Sequence, residues 1–413
     1  MKLSQNFTKT SKTAPADEQS ESAKLLLRAG YIYKEMAGVY DYLPLGMRTL
    51  ENIIGVIREE MNAIGGQELR MTALQPKDAW EASGRWSDDV MDVWFKTKLN
   101  AGGELGLGCT HEEPLTRLMK SYISSYKDLP VYAYQFQTKF RNELRAKSGI
   151  MRTREFMMKD LYSFSKDRAE HEVFYEKCAE SYKKIFNRLG IGNDTFRTFA
   201  SGGAFSKYSD EFQTLTEVGE DIIYLDREKG VAVNEEVYND EVLADLGLDK
   251  SKLEQRKAAE VGNIFTLGYR FSDALDLTFN DEDGKRQKVF MGSYGIGPSR
   301  VMGVIAEKLS DDKGLVWPEE IAPYKYYVVA IGDGAMKVAE ELHEKAPEQI
   351  IFDDRKSARN GEKFADADLL GIPYRVVISD KTLAEQSVEI KKRTESETKL
   401  LPLAEFVAKL DRK

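Results

Sequence analysis

Arginine is the side chain best suited to hold phosphate, because its planar guanidinium is always charged and presents paired N–H groups. Several stretches place arginines where one sheet could present them together. FRNELR closes the run Val131–Glu143, whose Tyr, Phe and Gln positions alternate with period two, and the alternation predicts a strand carrying Arg141 and Glu143 on one face. RTREF places Arg152 and Arg154 at the entry to a second predicted strand, Arg154–Ser165, with Phe156 on the return. MGSYGIGPSR, Met291–Arg300, reads as strand, glycine turn and helix start, ending in Arg300. Its spacing Gly295-x-Gly297-x-x-Arg300 is not a dinucleotide fingerprint, which needs glycine in the last place. Arginines gathered on one surface would bind a polyphosphate, and Phe156 would offer a base a stacking face. Taken singly, each stretch has a plainer reading: an Arg-x-Glu on a strand forms a cross-strand ion pair, and a glycine turn caps a strand.

Those residues need elements to position them. LRAKSGIMRT, polar and basic, lies between the two predicted strands and makes them a long antiparallel hairpin. Apolar residues at helical spacing predict a helix at Glu51–Met61, stopped by Gly65 and Gly66, and another at Glu170–Ile191, stopped at Gly190. ELRMTALQP reads as a strand entering a loop. Dense charge from Asn234 to Glu260 predicts a small exposed helical insert. Prolines and a new strand mark a boundary within Trp317–Ile331, and the alternating strands and helices beyond it predict a small α/β domain.

Composition narrows the class. The chain has 413 residues, 42% hydrophobic and 31% charged, an ordinary globular balance with room for two or three domains. A net charge of −9 argues against non-specific coating of nucleic acid, though not against a local basic patch. The N-terminal residues lack the apolar core of a secretory signal, no apolar run reaches membrane-spanning length, and Cys109 and Cys178 are the only cysteines; the expectation is a cytoplasmic protein with no disulfide framework, no membrane partner and no structural zinc module.

FRNELRAKSGIMRTREFMMKDLYSF resembles motif 2 of the class II aminoacyl-tRNA synthetases, and MGSYGIGPSRVMGVIAE resembles their motif 3. CTHEEPLT, Cys109–Thr116, is similar to the Thr-x-Glu loop of the prolyl-tRNA synthetases, and GVYDYLPLG, ALQPKDAWEASGRW, VGNIFTLGYRFS and WPEEIAP resemble the bacterial members. The resemblance runs nearly end to end. It implies an α+β catalytic domain, the class II antiparallel sheet flanked by helices, over 1–321, with motif 1 at about 38–76, motif 2 at about 136–164, motif 3 at about 289–308 and the short insert at about 234–260. It also implies a C-terminal α/β anticodon-binding domain over 322–413. Thr72 stands where the family usually has Met-Pro, and Asp210 where its Ser-His-Glu-Phe has histidine. The large editing domain of typical bacterial members has no room here, since only about 125 residues separate Phe164 from Met291.

The resemblance implies ligation of L-proline to tRNA(Pro) in two steps: ATP-dependent formation of prolyl-adenylate, then transfer to the 3'-terminal adenosine. Carried over residue by residue, Arg141 and Arg300 would be catalytic. ATP would be held by Arg141, Glu143, Arg152, Phe156 and Arg300, with Mg²⁺ bridging phosphate oxygens and no protein ligand assigned to it. Proline would be held by Thr110, Glu112 and Arg141. His111, between Thr110 and Glu112, is expected to point away in an extended segment as a structural histidine. Glu113 is expected at the surface. Cys109 reads as buried bulk with no cation beside it. The family also implies a homodimer built on motif 1. SVEIKKRTE offers basic side chains either to the tRNA backbone or to a solvated strand edge. A different class of protein shares these features, a catalytically inactive synthetase-like tRNA-binding or regulatory subunit; retention of Arg141, Arg152 and Arg300 favours the enzyme.

Overall fold

The computed structural model describes residues 1–16, 18–146, 148–202 and 208–411. They fall into two compact units, one of Met36–Val39 with Ile54–Val304, the other of Met1–Glu35, Tyr40–Ile53 and Ile305–Lys413.

The first unit is organised by a nine-stranded sheet. In chain order its strands are β1 (Gln67–Glu68), β2 (Val131–Phe140), β3 (Glu155–Ser165), β4 (Thr195–Ser201), β5 (Tyr208–Leu215), β6 (Asp221–Asp226), β7 (Val231–Asn234), β8 (Glu254–Gly268) and β9 (Phe290–Ile296). Their spatial order is β5-β4-β7-β6-β8-β9-β3-β2-β1, and β5 also closes back onto β8. All pairings are antiparallel except β7 with β4 and β1 with β2. The expected hairpin is β2 with β3, in register from Val131 opposite Phe164 to Phe140 opposite Glu155. Strand β2 stops at Phe140 rather than Glu143, because the chain turns out of the ladder after Arg141, with Asn142 N–H donating to Val93 O and Glu143 N–H to Arg141 O.

Three helices matter to the site: α1 (Glu112–Met119), α2 (Arg168–Arg188) and α3 (Pro298–Leu309). Helix α2 starts where the Asp167 side chain accepts from Glu170 N at 2.9 Å and ends before Gly190, whose φ of +79° suits glycine. It covers one face of the sheet: Phe174 stacks on Tyr132 with ring centroids 3.6 Å apart, and Phe174, Cys178, Tyr182 and Ile185 are buried. On the other face Leu115, Tyr162, Phe164, Phe271 and Met291 form a second apolar cluster. The hairpin strands are therefore buried on both sides.

The charged segment Asn234–Glu260 is not a separate helical insert. Only Asp240–Asp245 is α-helical; Val242, Leu243 and Leu248 pack on Val233, and Glu254–Glu260 are the first half of β8, paired to β6 and β5. High charge misled because Glu254, Gln255 and Lys257 are exposed there while the adjoining Ala258 and Ala259 are buried.

The second unit carries the expected C-terminal sheet: β10 (Tyr326–Ile331), β11 (Ile350–Asp353), β12 (Tyr374–Ser379), β13 (Ser387–Lys392) and β14 (Lys399–Pro402), ordered β11-β10-β12-β13-β14. The first three are parallel and the last two antiparallel, and Val328, Phe352, Val376 and Phe406 lie at the centre of its core. This unit also takes in N-terminal residues, so compactness does not follow the chain-order cut at 321/322: Tyr31, fully buried, donates from its hydroxyl to Leu370 O at 2.8 Å and accepts from Trp317 Nε1 at 3.0 Å.

Candidate active site

Arg141, Glu143, Arg152, Phe156 and Arg300 all line one cavity. Arg141 follows β2, and its N–H donates to Arg154 O at 2.8 Å, the last tie of the hairpin before the loop. Glu143 N–H bonds back to Arg141 O at 2.8 Å, so a tight turn, and not strand alternation, puts both side chains on the cavity. The Arg141 guanidinium lies 5.3 Å from the centre of the Phe156 ring.

The other two arginines are met by carboxylates. Arg152 donates to Glu143 Oε2 at 2.8 Å and to Glu220 Oε2 at 2.6 Å. Arg300 donates from Nε to Met151 O at 2.8 Å and from Nη1 to Glu260 Oε2 at 3.1 Å, while Asn263 Nδ2 holds Glu260 Oε1 at 2.7 Å. An adjoining cavity of about 220 Å³ is lined by the same arginines together with Glu220, Asp221 and Glu260.

The glycines before Arg300 do not form a phosphate-cradling turn. Gly292 and Gly295 sit within strand β9, and neither has a left-handed φ. A Cβ on Gly295 would come 2.6 Å from Asn263 Oδ1, and one on Gly292 would come 2.5 Å from the His171 ring. The missing side chains make room for neighbours across the sheet. Only Gly297 lies in the turn that delivers Arg300, third residue of α3, to the cavity.

Thr110 and Glu112 are not among the cavity-lining residues; they belong to a buried cluster at the start of α1. The segment is not extended, since the helix begins at Glu112. Thr110 Oγ1 donates to Glu112 Oε2 at 2.6 Å, Tyr162 OH lies 3.2 Å from Glu112 Oε1, and Arg85 Nη1 donates to Glu112 Oε2 at 3.3 Å. His111 does turn away, as expected. It is fully buried between Thr72 O (3.1 Å from Nε2) and the Lys139 ammonium (2.5 Å from Nδ1), which fixes the tautomer with the proton on Nε2. Burial and then Lys139 push its pKa down to about 4, so the ring is neutral. Lys139 in turn donates to Asp160 Oδ2 at 2.7 Å, which Gln135 also holds at 3.0 Å.

Glu113 is not at the surface. It is fully buried, accepting from Ser83 Oγ at 2.7 Å and from Arg85 Nη1 at 3.2 Å. In an extended segment its side chain would face water; the helix turns it inward instead. Cys109 is buried as expected, but the expectation that no cation lies near it fails: Arg141 and Arg85 both pull its pKa down, and burial outweighs them, pushing the thiol up to about 12. Sequence reasoning missed Arg85, Lys139, Asp160 and Tyr162. The available signal was charge inside the hairpin strands, where Lys139 and Asp160 interrupt runs that must be buried on both faces. Among the described residues no group of three or more His, Cys, Asp or Glu is placed to hold a metal ion.

Residues 95–309 match the tRNA synthetase class II core domain (G, H, P, S and T), and residues 325–413 match the anticodon binding domain. The chain is 36% identical to the proline–tRNA ligase of Ehrlichia canis over 99% of both chains, and 35% identical to that of Wolbachia pipientis wMel over 98% of this chain and 99% of the relative. It belongs to the prolyl-tRNA synthetases. The solved prolyl-tRNA synthetase of Cryptosporidium parvum in complex with L-proline and AMP shares the fold at a TM-score of 0.75 and 18% identity, over 95% of this chain and 74% of that one. The near end-to-end match to relatives of about this length agrees with the absence of a large insertion.

Against the prolyl-tRNA synthetase pattern, the departures at Thr72 and Asp210 have local explanations. Asp210 faces α2, where it accepts from Tyr175 OH at 2.8 Å and pairs with Arg197 at 2.7 Å; its charge is answered there, on the side of β5 opposite Glu211. Thr72 is exposed, closes a turn by donating to Leu74 O at 3.0 Å, and supplies the carbonyl that holds His111.

Proposed function

We propose that this proline–tRNA ligase binds ATP in the arginine-lined cavity and proline against Glu112, and that the cavity's ion pairs are exchanged for phosphate contacts when ATP enters. The convergence of Arg141, Arg152, Arg300 and Phe156 on one cavity carries this reading. Phe156 offers adenine a face and Glu143 an acceptor for its amino group. Arg152 and Arg300 meet the terminal phosphates, and Arg141 meets the α-phosphate and the substrate carboxylate. A proline carboxylate oxygen attacks the α-phosphorus, the new O–P bond forms, the bond to the β-phosphate bridge breaks, and pyrophosphate leaves. A hydroxyl of the 3'-terminal adenosine of tRNA(Pro) then attacks the prolyl carbonyl and AMP leaves. Neither step needs a protein nucleophile; positioning and charge stabilisation suffice.

The proline nitrogen, a secondary ammonium with two donors, is met by Glu112 and Thr110. Their donors already in place, from Thr110, Tyr162 and Arg85, leave the Glu112 carboxylate with remaining acceptor capacity. Mg²⁺ fits the chemistry of the cavity lining: Glu220 and Glu260 supply carboxylate oxygens beside the phosphate-binding arginines, and this ion is commonly held by one or two carboxylates plus phosphates and water. Bound there, it would offset phosphate charge. We retain 1–321 as the catalytic part, 322–413 as the anticodon-binding part, tRNA(Pro) as the RNA partner, a homodimer through motif 1, and a cytoplasmic location. Among the described residues no helix is long and apolar enough to cross a membrane.

Proline-dependent exchange of pyrophosphate into ATP by the purified chain tests the reading. Exchange with proline and not with threonine, serine or alanine at the same concentration supports it. Absence of exchange with every amino acid would leave the inactive tRNA-binding alternative standing.

A further inference from the structure

Arg85 is a buried cation with no place in the phosphate cavity. Its side chain is 1% exposed. The guanidinium lies 5.0 Å from the Trp80 ring centre and 5.3 Å from that of Phe271. Nη1 is shared between Glu112 Oε2 at 3.3 Å and Glu113 Oε1 at 3.2 Å, and Ser83 Oγ donates to the same Glu113 oxygen at 2.7 Å. Burying a guanidinium is costly unless carboxylates meet it. Glu113 and Glu112 meet that need together. The second branch, to Glu112, restrains the residue that faces the proline ammonium. Among the described residues three side chains hold the Glu112 carboxylate: Thr110, Tyr162 and Arg85. Of these only Arg85 brings a full charge; it is anchored by Glu113, while the Tyr162 hydroxyl is shared with Asp160 Oδ2, also at 3.2 Å.

We infer that Arg85 is a positioning residue for proline recognition, holding the Glu112 carboxylate in one orientation while Glu113 and Ser83 hold Arg85. The assignment rests on the reading of Glu112 as the acceptor of the proline nitrogen. Arg85 touches no substrate; it acts through Glu112. Trp80, Phe271 and the two acids define a rigid slot for a planar fork, which a lysine, as a point charge on a flexible stem, would fill poorly.

The test uses the full-length chain and pyrophosphate exchange with proline and ATP titrated separately. Removing Arg85 alone would strand two buried carboxylates, so the main variant is R85Q/E113Q, which leaves only Glu112 charged. We expect it to fold, to keep the ATP KM within about twofold, and to raise the proline KM about tenfold or more, a loss of about 1.4 kcal/mol. R85K is expected to raise the proline KM by a smaller factor with the fold intact. Because Arg85 acts through Glu112, adding R85Q/E113Q to E112Q should change the proline KM little beyond E112Q alone. A folded R85Q/E113Q or R85K with the wild-type proline KM would overturn the inference, as would full additivity in the triple variant. Should R85Q/E113Q not fold, R85K carries the test. If E112Q itself leaves the proline KM unchanged, the Glu112 reading fails, an outcome distinct from failure at Arg85.

Discussion

The phosphate cavity and the Glu112 cluster are both built from arginines and carboxylates, yet they differ in exposure. Arg152 and Arg300 keep 41% and 33% of their side-chain surface, whereas Arg85, Glu112 and Glu113 keep 1%, 2% and 0%. Ion pairs as open as the first are worth about 0–1 kcal/mol, so a polyphosphate can displace the carboxylates at little cost. Pairs as closed as the second are rigid, and removing one partner leaves an uncompensated charge. One site is made to exchange partners, the other to keep them. On the proposed reading the substrates match: ATP would bring several negative charges to the open site, and proline one ammonium to be met in a fixed place by the closed one.

Arg300→Ala is expected to have the largest catalytic effect. On the proposed reading it removes one charge-assisted contact in the transition state, about 2–4 kcal/mol or about 30–1000-fold in exchange rate. Because the Arg300–Glu260 pair is partly exposed, the melting temperature should move little. A near-normal exchange rate would remove Arg300 from the phosphate site, and a large loss of stability would erase the contrast between the two regions.

Glu112→Gln comes next. It keeps the shape and removes the charge proposed to face the proline ammonium. We expect the proline KM to rise by about 10–100-fold, as for loss of a charged hydrogen bond of about 1.5–3 kcal/mol, with the ATP KM nearly unchanged. Equal damage to both substrates, measured by the same titrations, would mean that the closed cluster supports the whole site and not proline alone.

The closed cluster should also show itself in stability against pH. Burial, with Arg85 opposing it, pushes the Glu113 carboxyl up to about 7 from an ordinary 4.5. The folded state therefore binds more proton at this group, so its contribution is fully present below about pH 4.5 and is lost as pH rises to about 7. The loss is at most about 3 kcal/mol. His111 runs the other way: its pKa, lowered to about 4, makes stability rise between about pH 4 and 6.5, so the wild-type curve alone would hide the acid. The difference between E113Q and wild type isolates it. Chemical denaturation should find E113Q gaining on wild type from pH 4.5 to 7; a pH-independent difference would place Glu113 in an environment much wetter than the structure gives it.

The hairpin and the C-terminal domain were legible because their signals are local. Period-two aromatics in β2, the apolar spacing and stop of α2, and strand–helix alternation after Tyr326 depend on neighbours in sequence. The open site was legible for the same reason: its arginines sit at the ends of those elements. The closed cluster was not. Glu113 looked like a surface acid because the answer to its charge, Arg85, is 28 residues away and enters from another loop. Asn234–Glu260 looked like an exposed insert because the pairing that makes Glu254–Glu260 a strand comes from β5 and β6. Glycines 292 and 295 looked like a turn because crowding across a sheet leaves the same mark in sequence as a tight bend.

The smallest effect expected is none at all, and it bears on what a rigid proline site can reject. Alanine also brings an ammonium and a carboxylate, so the Glu112 cluster will accept it. It lacks two methylenes, at about 1–3 kcal/mol each, and its ammonium is primary where that of proline is secondary. Some alanyl-tRNA(Pro) should therefore form. Clearing it would need a second site, and between Phe164 and Met291 the described residues are taken up by α2, five strands of the nine-stranded sheet, a small two-stranded sheet and short helices, the small clusters around Ile223 and around Val233 and Leu243 being built on strands of the nine-stranded sheet. Purified chain given preformed alanyl-tRNA(Pro) should release alanine no faster than the spontaneous rate, leaving correction to a separate deacylase. Deacylation above that rate would be traced by replacing Asn239–Asp249 with a short linker. That cut spares β8, and with it Glu260, which a deletion to residue 260 would remove from the ATP site. Loss of the activity in that variant would show that the small helical segment edits.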